Sequence, residues 1–189
     1  MTAWRILAAA VLIGAGVALR GPLEAHPVTH MLVQMPGLAL AGALLASPAI
    51  GSGEWNRGGV AALLAAVFTA TFWMLPRSID AAVSGPLVDA AKFATLPLLA
   101  GLPLAAGWRR AHPLLRGFLK AQALSMLGIL AFLYTHAPVR ICNAYLAEDQ
   151  FRLGIGFLAV AVALAVLWTV PLLVGEAPRP AAGMPTGSG

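Results

Sequence analysis

The chain has 189 residues, 60% of them hydrophobic and only 10% charged, and its mean hydropathy is +0.85. A soluble domain carries about 25% charged residues, so a water-dissolved globule is excluded and the bilayer is the expected solvent. The formal net charge of +5 bears on membrane orientation before it bears on nucleic acid, and no nucleic-acid partner is expected.

Six apolar segments follow in chain order: 3–19, 30–50, 59–75, 93–108, 117–136 and 152–174. Each is near the ~20 residues needed to cross ~30 Å of hydrocarbon. The first carries Arg5 near its start and runs toward Leu23-Glu24-Ala25. That pattern also fits a signal peptide cleaved after Ala25. Leu23 is large where a small side chain is wanted, so retention as a span is the expectation.

The second segment opens in His26-Pro27-Val28-Thr29-His30-Met31-Leu32-Val33-Gln34-Met35. Pro27 suits the first position of a helix, which makes His26 its cap and places His30 in its second turn. A spacing of four puts both histidines on one side, and Met31 and Met35 repeat it on the adjacent stripe. Imidazole binds both copper states and thioether favours Cu(I). The plainer alternative is an interfacial helix start, with imidazoles reaching water and methionines packing.

The third segment ends at Trp73-Met74-Leu75-Pro76. Beyond it, Arg77, Asp80, Asp89 and Lys92 fit an external interfacial or re-entrant helix with Arg77 and Lys92 snorkelling. Pro97 and Pro103 predict a kink or break in the fourth segment. Arg109, Arg110, Arg116 and Lys120 then follow without an acid among them. The fifth segment ends at His136, with Cys142 just after. Arg140 beside Cys142 would favour a thiolate, whereas a lone cysteine also serves as a small buried hydrophobe. Glu148 and Asp149 suit the N-terminus of the sixth helix, and Arg152 can pair with Glu148. Residues 1–175 read as one transmembrane domain. Residues 176–189, rich in Pro and Gly, read as a disordered cytoplasmic tail.

The uncompensated basic stretch is expected in the cytoplasm, and six spans then put both termini there. His26, His30, Met31, Met35, Met74 and His136 fall toward the external face, with Cys142 as a further candidate. Together they form the candidate Cu(I) ligand set. His112 stands apart in the basic loop. A single cysteine excludes an internal disulfide. The chain has no Ser/His/Asp set, no HExxH and no Gly-rich phosphate loop, so no enzyme is expected. The spans carry few polar residues beyond Thr69, Thr71, Gln122 and Ser125, which argues against a transporter.

The order of these motifs resembles the polytopic CtaG family, implicated in assembly of heme–copper cytochrome c oxidase. His30-Met-Leu-Val-Gln-Met35, followed by the small-residue run to Gly42, is similar to the family's His-Met stretch and helix. Trp73-Met-Leu-Pro76 is similar to its Trp-His-Leu-Pro element. Asp80-Ala-Ala82, Gly85-Pro-Leu-Val88, Asp89–Phe93, Tyr145-Leu-Ala147 and Asp149-Gln-Phe-Arg-Leu-Gly154 continue the match over about residues 26–174. The departures are Gln34 and Met74 in place of histidines, Asp89 and Lys92 near further histidine positions, and no seventh span. His30 is kept, and His26 and His136 stand as local substitutes.

The expectation is an all-α polytopic membrane helix bundle of about six transmembrane helices in a bacterial inner membrane. The resemblance implies an assembly or copper-handling factor, with the bilayer and respiratory oxidase subunits as partners and Cu(I) as the candidate cofactor. The alternative is a metal-free structural subunit of a membrane complex.

Overall fold

The computed structural model describes residues 2–137 and 141–174. These residues form α1 Ala3–Ala18, α2 Arg20–Glu24, α3 Pro27–Leu45, α4 Glu54–Met74, α5 Pro76–Ser84, α6 Pro86–Arg110, α7 Pro113–His136 and α8 Ala147–Val174. No strand occurs among them, and the chain is an all-α helix bundle. Five helices, α3, α4, α6, α7 and α8, are long and apolar enough to cross a bilayer. The expected first span is shorter. Its 16 residues reach about 24 Å against ~30 Å of hydrocarbon. Backbone angles of φ −96° and ψ 18° at Leu19 then turn the chain into α2. The expected disordered tail, 176–189, lies outside the described residues, as does Arg140.

Proline sets half of these helix starts. Pro27, Pro76, Pro86 and Pro113 each open a helix, where a missing N–H costs nothing and φ is already helical. Of the kink or break expected from proline inside the helices, the break does not occur. Pro97 and Pro103 do not break α6; the helix widens into a π turn over Leu96–Gly101 and continues. A second π turn spans His30–Gln34 in α3. Each wide turn ends two residues before a proline, Pro36 or Pro103. The extra residue relieves the clash between the ring and the carbonyl four positions back.

In the packing, α6 lies between α3 and α4, α1 lies on α3, and α7 pairs with α8. The α3–α6 contact is backbone on backbone. A Cβ at Gly42 would fall inside the Pro97 peptide, and one at Gly101 inside that of Ala39. Small residues permit this approach, and van der Waals packing is what holds helices together in lipid. The core at the site end is built from Met31, Met35, Leu38, Trp73, Ile79, Leu96, Tyr134, Leu153 and Phe157. Large apolar side chains such as Phe68, Phe132 and Leu167 stay on the outside, as expected of a lipid-facing surface.

The short α5 is amphipathic and lies between spans, as expected of an interfacial helix. Asp80 on it accepts the backbone N–H groups of Asn143 (3.0 Å) and Ala144 (2.9 Å), tying α5 to the α7–α8 connection.

Candidate functional site

The principal polar feature inside the bundle is a charged cluster where α2, α3 and α6 meet. Lys92, expected to snorkel, is instead fully buried at 0% exposure. The cause is where α6 begins. The helix starts at Pro86, not near residue 93, so Lys92 lies about 9 Å along its axis. Its ammonium points inward, against α2 and α3.

The surroundings of Nζ are dense. Glu24 Oε1 lies at 2.6 Å, Asp89 Oδ1 at 2.8 Å, and His30 Nε2 and Gln34 Oε1 at 3.0 Å each. An ammonium has three N–H donors. Glu24, His30 and Gln34 take hydrogen bonds, while Asp89 Oδ1 is held as an ion-pair contact without a hydrogen bond. Arg20 Nε reaches the other Asp89 oxygen at 2.8 Å and Glu24 Oε2 at 3.4 Å. Two cations therefore face two carboxylates, and the cluster is neutral. That balance is what allows charge to reside inside a membrane bundle.

His30, also at 0% exposure, is fixed by both ring nitrogens. Nδ1 lies 2.7 Å from Tyr145 Oη, and that hydroxyl donates to the Glu24 carbonyl at 3.0 Å. Since the hydroxyl proton goes to Glu24, Nδ1–H donates to the tyrosine oxygen. Nε2 then holds the lone pair that accepts from Lys92. The imidazole is neutral in this arrangement. Gln34 completes the set by donating to the Gly16 carbonyl and to Glu24 Oε1, both at 3.3 Å. The spacing of four along α3 brings His30 and Gln34 to the same ammonium. Burial raises the Glu24 pKa, but the Lys92 hydrogen bond and charge outweigh it. The carboxyl is held below its ordinary range.

The sequence-derived Cu(I) residues divide among several places. His30 is inside the cluster. Met31 and Met35 are buried in the apolar core, with Met74 packed against its edge. His26 is exposed and caps α3 without a side-chain bond. His136 is exposed too, stacked on Phe132 at 4.5 Å between ring centroids. Cys142 is buried, with its Sγ 3.4 Å from Tyr134 Oη. Burial pushes its thiol pKa up, Asp80 adds to the rise, and the Tyr134 hydrogen bond opposes it. Among the described residues no three His, Cys, Asp or Glu side chains are arranged to hold a metal ion. As arranged, the donor set does not fit Cu(I). His30 has no ring nitrogen left over, and a metal at Nε2 would coincide with a buried ammonium.

The reading of the sequence missed Lys92, Glu24, Asp89 and Arg20 as one unit. A usable signal was Gly85-Pro86, a helix start that places Asp89 and Lys92 one turn apart inside the helix. The Glu148–Arg152 pair, in contrast, forms as expected at 2.6 Å on an exposed face. Comparison with protein-family models, with curated proteins and with solved structures finds no match to the chain.

Proposed function

We propose that this multi-pass membrane protein acts as a structural or assembly partner within a membrane complex, with an internal ion-pair cluster where a metal centre would otherwise be built. The observation that carries this reading is Lys92. Its buried ammonium has four nitrogen and oxygen neighbours within 3.0 Å. A fixed cation held by carboxylate, imidazole and amide groups supplies the charge that a metal ion would supply to the same donors. It cannot be exchanged or delivered to a client. The motif order shared with the CtaG family makes a heme–copper oxidase the first client to test.

The test has two parts. Protein purified under reducing conditions with Cu(I) supplied is analysed for metal per folded molecule, beside His30→Ala. The expected result is no stoichiometric copper that depends on His30. Copper bound one to one and lost in His30→Ala would replace this reading with a copper-handling one. Crosslinking in native membranes, with and without copper depletion, should then recover the same membrane-protein neighbours. Recovery of no neighbours in either condition would remove the assembly role.

A further inference from the structure

The opposite end of the bundle has a second built feature. A cavity of about 580 Å³ opens between the helices at the end where α3 and α6 finish and α7 begins. Arg5, Arg109 and Lys120 line it, together with Trp108, Trp168 and Leu104. Among the described residues, no carboxylate lines it. The volume lies within the ~300–1,000 Å³ usual for small-molecule pockets.

Two of the three cations are held in place by backbone. One Arg5 terminal nitrogen donates to the carbonyls of Ala43 and Ala46, at 3.4 and 3.2 Å. Arg109 donates to Ser47 at 2.7 Å and Ala46 at 3.5 Å. These carbonyls lie in the last turn of α3 and just beyond it, where the helix dipole favours cations. A guanidinium has five N–H donors, so these bonds orient each group and leave donors for another acceptor. Lys120 lies over the Trp168 ring, 5.3 Å from its centroid. It is held there by cation–π attraction, with its stem along the apolar wall. Three cations, apolar side chains beside them and two tryptophans lining one cavity match the charge and amphipathic character of one lipid molecule. The headgroup phosphate meets the cations and the acyl chains follow the wall.

We propose that this cavity is a binding site for one anionic phospholipid, with the headgroup phosphate on Arg5, Arg109 and Lys120. Charge complementarity favours an anionic over a zwitterionic lipid, because three cations and, among the described residues, no carboxylate line the cavity. The site stands independently of the Lys92 cluster at the other end.

The test is native mass spectrometry of the full chain in detergent, with added phosphatidylglycerol or phosphatidylcholine of identical acyl chains. One phosphatidylglycerol should be retained in preference, by about tenfold. Arg109→Gln with Lys120→Gln should abolish the preference, and Arg110→Gln, outside the cavity, should keep it. Lys120→Gln alone leaves the α3 carbonyl contacts intact. It should reduce the preference without lowering thermal stability, which covers a double variant that fails to fold. Equal retention of both lipids, a preference unchanged by Lys120→Gln, or displacement of the lipid by inorganic phosphate at similar concentration would each overturn the proposal.

Discussion

Lys92 shows how one residue can organise the interior of a membrane bundle. Removing one member of a buried charge set typically costs about 3–5 kcal/mol, because the partners remain buried and uncompensated. Lys92→Met should therefore reduce folded yield and thermal stability sharply in detergent, leaving Glu24 and Asp89 against Arg20 alone. Adding Glu24→Gln restores neutrality, since the Arg20–Asp89 pair at 2.8 Å remains. The double variant should recover part of the loss in size-exclusion profiles and melting temperature. A double variant no better than the single would mean that Lys92 contributes packing and hydrogen bonds, not charge. Cys142 gives a second residue-level expectation. Its thiol is buried and held protonated, whereas alkylation requires the thiolate. N-ethylmaleimide at pH 7.5, roughly a unit below a free thiol's ordinary pKa, should label the folded protein far more slowly than the detergent-unfolded chain. Fast labelling of the folded form would contradict the packing against Tyr134.

Among the elements, helix identity was largely legible in the sequence and helix extent was not. Apolar run length located α3, α4, α6, α7 and α8 because a bilayer imposes a length on any helix that crosses it. The start of α6 was misplaced by reading polar residues as outside the helix. Asp89 and Lys92 interrupt the apolar run, yet they are helical because each finds an opposite charge across the α2–α3 junction. Polar residues mark a helix end only when water is their partner, and a one-dimensional pattern does not show which partner they have. The π turns were likewise illegible as such, although the prolines that accompany them were noticed. Their effect is to widen a turn instead of breaking a helix. The α3–α6 contact yields the element-level prediction. Gly42→Ala places a Cβ within the Pro97 backbone and should destabilise the bundle markedly, because the obstacle is main chain. Gly14→Ala, with nothing within 4 Å, should be neutral or stabilising by up to about 1 kcal/mol, the helix-propensity difference. Equal effects from the two substitutions would mean that the helices do not approach at Gly42.

Over the whole molecule, charge is segregated by membrane face. One face has Arg5, Arg57, Arg109, Arg110, Arg116 and Lys120 against the single acid Glu54. The other has, among the described residues, Arg20, Arg77, Lys92 and Arg152 against Glu24, Asp80, Asp89, Glu148 and Asp149. Among the described residues the first face therefore has six cations to one acid, and the second four cations to five acids. The structure makes the assignment concrete, since Arg5 and Arg109 both bond to the end of α3 and Arg116 reaches the Arg109 carbonyl. The basic connection is shorter than the sequence implied. With α6 ending at Arg110 and α7 starting at Pro113, Arg116 and Lys120 occupy the first turns of a span. They still lie within the ~15–20 residues of a helix end that count toward orientation. The basic face should be cytoplasmic. Reporter insertions at Gly53 and His112 should then read as cytoplasmic, and insertions at Gly85 and Asn143 as external. The last two also report on the Lys92 cluster, which lies within about two helical turns of that face. The informative perturbation is to move charge. Replacing Arg109, Arg110 and Arg116 with Gln while adding three lysines near Gly85 should invert or scramble the reporters if the segregated charge sets orientation. Unchanged reporters would show that another feature fixes the topology, and the cavity would then account only for Arg5, Arg109 and Lys120.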